Sequence, residues 1–462
     1  MTETCKRRRT VNVPSDLITE LPRNVIDIIV EQLPLCDAAK MSVLSRNWLE
    51  IWRSKQKLVL DAPFFKRVLK DKIRDTREFS CIVSKILFHH LGHLLRFHLD
   101  IPCLKFCPDI DQWICYLSRT GVSDICIQNE YKKPIKLSSH IFSCGNLEKL
   151  KLRSFMINHP HNCGGFRKMT RLELDKTTLT EKAFKYLIHG CPLLQELRLT
   201  NFIGMEHVTI DAPKLSRLIV DGTYISLDVT NAEKLLSAVL GLQKCVDVCH
   251  KASLRVLIQA LASSSKLQKL VFRGHFVKVL CKESLLPSSF ENLRKLDLLF
   301  IHLNDVDDFR SIISIIQACP VVERLNISVS TSKHKTSHVL DYNPSSVLHR
   351  LCYADVDICR GSNMELKLIE FLLESSPILK KLSLTTSTGN IKTIFSPNMM
   401  HQLFHFRRAS QNLKVNWPDS TGPDHSDSSD SMYTEDSVDF EDSEDSSSDD
   451  SGSSETDSST SY

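Results

Sequence analysis

LEKLKL at residues 147–152, MTRLEL at 169–174, LQELRL at 194–199 and LSRLIV at 215–220 share one pattern, with apolar residues at positions one, four and six. In an extended strand, the apolar residues at positions four and six point to one side and the residue between them to the other. The pattern recurs at Leu267/Leu270/Phe272, Leu293/Leu296/Leu298, Val322/Leu325/Ile327 and Leu379/Leu382/Leu384, with weaker copies at Leu235/Ala238/Leu240 and Leu348/Leu351/Tyr353. First residues of the ten copies run from 147 to 379. The nine intervals average about 26 residues, a period that signals a stacked solenoid. Weaker strands at His93–Ile101 and Val122–Gln128 extend the array toward the N-terminus.

Stacked strands of this kind form a parallel sheet, apolar side inward against helices, with the intervening residues on a concave surface. Helical patterns lie between the strands. Thr180 is placed to cap a helix over Glu181–His189 that ends at Gly190. Asn304 or Asp305 is placed to cap one carrying Val306, Phe309, Ile312, Ile313 and Ile316, and Asn363 one carrying Leu366, Ile369, Leu372 and Leu373. Proline at Cys191-Pro192, Cys319-Pro320 and Ser376-Pro377 ends a helix before the next strand. The register puts Lys151, Arg153, Glu173, Asp175, Arg198, Asp221, Arg273 and Asp297 on the concave surface, with Ile219, Val271 and Asn326. Such a mosaic of both signs with apolar patches suits a protein partner better than a polyanion, so nucleic acid is not expected.

Ahead of the repeats, residues 16–52 read DLITELPRNVIDIIVEQLPLCDAAKMSVLSRNWLEIW. Leu21-Pro22 starts a helix in which Val25, Ile26, Ile29 and Leu33 recur at helical spacing, and Pro34 ends it. Asp37 can cap a second helix and Ser45 a third, which sets Trp48 and Trp52 four apart on one face. A unit of about 40 residues buries too little surface to stand alone, so its spare apolar face must meet something else. Val59 and Phe64-Phe65 suggest a strand and turn that join these helices to the repeats.

Leu21-Pro22, Ile26, Ile29, Leu33-Pro34, Asp37-Ala38-Ala39, Ser42-Val43-Leu44-Ser45-Arg46, Trp48 and Trp52 resemble the F-box, most of all the plant type that precedes leucine-rich repeats. Arg23 and Asn47 depart from what the family often has after Leu-Pro and before the first Trp. The resemblance implies docking on a Skp-family adaptor, and through it on cullin and RING subunits, by Leu21, Pro22, Ile26, Ile29, Leu33 and Pro34. GSNMELKLIEFLLESSPILKKLSL at 361–384 is similar to the FBD module that follows such repeats in plant F-box proteins. The expected organisation is a disordered basic N-terminus (1–15), F-box (16–56), leucine-rich-repeat solenoid (57–343), FBD-like end (344–418) and disordered tail (419–462), an α/β fold overall.

The chain carries 59 basic and 55 acidic residues, a net charge of +4, yet residues 419–462 hold Asp and Glu with no Lys or Arg. That low-complexity, Ser-rich tail has too few apolar residues to offset its ordering entropy. Lys6-Arg7-Arg8-Arg9 reads as a nuclear-import signal, a phosphate-binding arm or simply a solvated terminus. No apolar run approaches the roughly 20 residues of a membrane span, and no secretory signal follows the N-terminus. The 16 cysteines, Cys126, Cys191 and Cys319 among them, then read as reduced and mostly buried thiols of the cytoplasm or nucleus.

Cys103/Cys107 and Cys245/Cys249 are each half a zinc spacing without a second pair. His89, His90, His93 and His98 are dense but lack neighbouring ligands in sequence. No phosphate loop, nucleophile elbow or ubiquitin-accepting cysteine is recognisable, so neither a metal, a cofactor nor catalysis is expected. The function expected is substrate recognition in a Skp–cullin–F-box ubiquitin ligase, with an unidentified protein substrate on the concave face. The alternative is a repeat scaffold or nuclear interaction protein outside any ligase, using its acidic tail on basic partners.

Overall fold

The computed structural model describes residues 21–70, 75–102, 107–158, 166–243, 251–282, 289–303, 306–330, 347–359, 361–386 and 397–417. The basic N-terminus, Cys103, Cys245, Cys249, Asn304, Asp305 and the acidic tail lie outside these residues. Three helices come first: α1 (Arg23–Gln32), α2 (Leu35–Met41) and α3 (Arg46–Arg53). Ser45 caps α3 by accepting from Trp48 N at 3.4 Å. Asp37 is not a cap. Pro34 holds that place, and Asp37 sits in the first turn of α2, where a carboxylate favours the helix dipole. Ile26, Val30, Ala38, Trp48 and Ile51 make a small core, with Leu21, Leu33, Met41 and Trp52 packed on it.

Directly after α3 the chain enters a single 14-stranded sheet whose strands follow in sequence order from Lys57–Leu60 to Lys414–Asn416. Neighbouring strands are parallel and in register, so Leu150, Leu172, Leu197, Leu218, Ala238, Leu270, Leu296, Leu325, Ala354 and Leu382 form one row. This row is buried in the large core. Helices α4 (Ala62–Leu69) and α5 (Thr76–Phe88) pack into the same core, as do Ile110–Thr120, Glu181–His189, Lys251–Ser263, Val306–Gln317 and Asn363–Ser375. Among the described residues, the helices of the repeats pack into that core, and the residues between the apolar pairs emerge on the opposite face, helix-free among those residues. Among the described residues no helix is long and apolar enough to cross a membrane.

Three local expectations are corrected. Phe64 and Phe65 belong to α4, not to a turn, because Asp61 caps that helix and Pro63 fits its first turn. Ser362, not Asn363, caps the Asn363–Ser375 helix, in a reciprocal capping box with Glu365. The copy read as Leu348/Leu351/Tyr353 runs three residues later, as Leu351/Ala354/Val356. Ala354 and Val356 are buried while Tyr353 is exposed, and the small Ala had hidden the pattern.

Candidate functional site: two protein-docking surfaces

The first surface belongs to the three helices. Among the six positions implied for adaptor docking, Pro22, Ile29 and Pro34 are exposed, and Leu21 and Leu33 lie half-buried against the small core. Ile26 is corrected: only 1% exposed, it is the centre of that core and offers a partner nothing. Helical spacing alone could not separate the inward stripe, Ile26 and Val30, from the outward residues beside it. Three outward residues were missed: Ile28 at 62% exposed, Val43 at 86% and Leu44 at 68%. Val43 and Leu44 occupy the turn between α2 and α3. Two bulky apolar residues in a turn just before a helix cap have no local structural use, and that was the available signal.

A buried polar latch joins this unit to the sheet. Lys55, 5% exposed, donates from Nζ to Val30 O at 2.7 Å and Glu31 O at 3.0 Å, closing the C-terminal end of α1. Its ammonium lies 3.6 Å from Glu31 Oε2. Burial lowers the Lys55 pKa and Glu31 opposes that shift. On the other side, His90 Nε2–H donates to Lys55 O at 2.9 Å. Leu91 N then donates to Arg53 O, and Leu95 N to Gln56 O. Trp52 packs against both cores, and Leu35 of α2 is buried in the large one.

The second surface is the helix-free face of the sheet, where the charged candidates pair across strands. Lys151 Nζ lies 3.9 Å from Glu173 Oε2, and Arg153 Nε 3.4 Å from Asp175 Oδ2. Arg198 stands between Glu173 and Ile219 in the register. Arg273 reaches Asp221 at 3.3 Å across the intervening strand. This crossing needs glycine beneath it, because a Cβ on Gly241 would stand 2.6 Å from Asp221 Cγ. Two expectations fail here. Asp297 is 3% exposed beside Lys269, so it cannot meet a substrate, and burial raises its pKa. Ile219 and Val271 are buried as well, so neither of these two offers a partner an apolar contact.

A family model for the F-box domain matches residues 18–60. A second model, described as FBD-associated F-box protein At5g56370, LRR repeats, matches residues 110–258. The chain is thus similar to plant F-box proteins with leucine-rich repeats of the FBD-associated type. Among similar Arabidopsis thaliana proteins, F-box/FBD/LRR-repeat protein At1g13570 is 27% identical over 420 residues, covering 87% of this chain and 98% of its own length. F-box/LRR-repeat protein 13 is 25% identical over 421 residues, 80% of this chain and 89% of its own. FBD-associated F-box protein At5g56370 is 25% identical over 254 residues, 53% and 58%. An F-box joined to leucine-rich repeats fits a ubiquitin-ligase substrate adaptor in general, and an F-box generally serves protein–protein interaction with Skp-type adaptors.

Proposed function

We propose that this chain is the substrate-recognition subunit of a Skp–cullin–F-box ubiquitin ligase. One observation carries the proposal: the small helical unit keeps Ile28, Ile29, Val43 and Leu44 on its surface while Trp48 and Ile26 fill its core. A Skp-family adaptor covers those residues, and cullin and RING subunits follow through it. The helix-free sheet face receives a protein substrate. The chain itself contributes no catalytic group to ubiquitin transfer; it acts by proximity, which alone can supply a large part of a rate enhancement. Proximity demands a join that does not flex, and the Lys55 latch supplies one.

Affinity purification of the full chain, with and without proteasome inhibition, tests this. Recovery of adaptor and cullin subunits in both conditions, with further proteins enriched under inhibition, is the expected result. Recovery of partners without either subunit would instead favour a scaffold outside the ligase.

A further inference from the structure

We propose that the C-terminal half of a basic row on this sheet face, centred on Arg324, docks an extended, carboxylate-rich segment of a protein partner. The inference rests on the reading that the face receives a protein substrate, and it names that substrate's chemistry. The repeat motif places the row: its third position is Lys or Arg in LEKL, MTRL, LSRL, LQKL, LRKL, VERL and LKKL. That position opens each of those strands, and parallel register lines up the first residues of all strands across the sheet. Ten of the 14 strands begin on Lys or Arg. The apolar residue after each of them packs in or on the large core, so the pleat turns these basic side chains to the other face.

The two halves of the row differ in charge. In the first, Asp124 lies 2.7 Å from Arg96, and Glu196 lies 3.1 Å from Arg171 and 2.7 Å from Arg217. Beyond the strand Ser237–Leu242 the row holds no acidic residue. Lys269 is paired at 3.6 Å with the buried Asp297 of the next row. Lys295, Arg324, Lys381 and Lys414 form no ion pair among the described residues. Of these four, Arg324, Lys381 and Lys414 are exposed and Lys295 is half-buried. Arg324 lies over the ring of Tyr353 on the neighbouring strand, 4.9 Å from its centroid. The stack steadies the guanidinium and leaves its planar N–H edge, unpaired among the described residues, for a carboxylate. Around the strip, Glu323 is taken by Arg294 at 3.7 Å, and exposed Asp355 stands in the next row beside Asn326 and Ser383. Four cations against that one exposed aspartate leave the strip positive.

Length and spacing choose the occupant. Lys295 and Lys414 are four strands apart at about 4.8 Å per step, roughly 19 Å, which about six residues of extended chain cover. Single cations on separate strands suit single carboxylates spread along such a chain. A phosphate instead asks several donors to converge on one point. A single-stranded nucleic acid asks for repeated aromatic platforms, and Tyr353 is the one aromatic in this row.

The test is fluorescence anisotropy of the full chain, at low salt, with a short labelled peptide of alternating Glu and Ser. Parallel arms use the same peptide with Gln for Glu, a phosphoserine peptide and a single-stranded oligonucleotide. The Glu peptide is expected to bind and the Gln peptide not. Arg324→Gln/Lys381→Gln should weaken binding roughly tenfold or more, with the urea midpoint unchanged. Arg171→Gln/Arg217→Gln, in the neutralised half, should leave it as it was. Carbodiimide, which joins amines to carboxylates in contact, should link Lys381 and Lys414 to the peptide. Equal binding of the Gln peptide, or a folded Arg324/Lys381 variant that binds as well as the unaltered chain, overturns the proposal. So does binding of the phosphopeptide or the oligonucleotide without the Glu peptide. Cross-links from those lysines to the chain's own residues 419–462, persisting under excess peptide, overturn the choice of a separate partner. Recovery of adaptor and cullin is a separate readout: a chain that recovers both yet ignores the Glu peptide loses this inference alone.

Discussion

At the scale of single residues, Lys55 and His90 connect the three-helix unit to the sheet. Lys55→Met removes a donor from the Val30 and Glu31 carbonyls and the cation beside the Glu31 carboxylate. It should cost about 1–3 kcal/mol, read as a lower urea midpoint and faster hydrogen exchange across residues 23–53. His90 Nδ1 is buried without a partner while Nε2–H is spent on Lys55 O, so protonation would bury a charge with no acceptor. Its pKa is lowered from 6.5, with burial as the leading cause. The sign follows directly. Below pH 6.5 the unfolded chain takes a proton that the folded chain refuses, so stability falls as pH falls from neutral. His275 and His302 are lowered for the same leading reason and add to the slope. His98 contributes oppositely. Burial would lower its pKa, but Asp100, 2.8 Å away, leads the groups that outweigh burial and raise it. The raised pKa gives stability that is complete below pH 6.5 and lost as pH rises toward about 10. Urea midpoints at pH 7 and pH 5.5 should drop less for His90→Asn than for the unaltered protein. An equal drop would remove His90 from this account.

Elements show where sequence patterns succeed and where they stop. Thr180, Ser45 and the helices they cap were legible because capping chemistry is local. Thr180 Oγ1 accepts from Ala183 N at 3.2 Å as expected. The one-residue error at Ser362 arose because Ser and Asn are equally good caps. The capping box decides it: Glu365 accepts from Ser362 N at 2.6 Å and from Cys359 N at 2.7 Å while almost fully buried. Glu365→Ala should therefore cost roughly 2–3 kcal/mol, against about 1 kcal/mol for Ser362→Ala, measured by equilibrium urea unfolding. A smaller loss for the glutamate than for the serine would contradict the box. Cross-strand relations were illegible. His98 and Cys126 stand opposite each other only through parallel register, and Asp297 is sealed by neighbours from other repeats.

For the whole molecule, the repeat period and the helical preface were enough to foresee an uninterrupted parallel sheet beginning beside α3. Leucine spacing encodes the inward row of every strand, and that row is what the sheet is built around. Which apolar residues of the helical unit stay exposed was only half legible, since periodicity marks what is apolar and not which apolar residues the fold leaves uncovered. Ile26 and Val43 show both sides of that limit: the first went inward and the second, in a turn, outward. The most direct test of the central claim is the affinity of the full chain for a Skp-family adaptor, measured by calorimetry with Val43→Asp/Leu44→Asp beside the unaltered protein. Weakening by roughly tenfold or more with an unchanged urea midpoint is the result predicted. Undiminished affinity in the folded double variant would contradict the account.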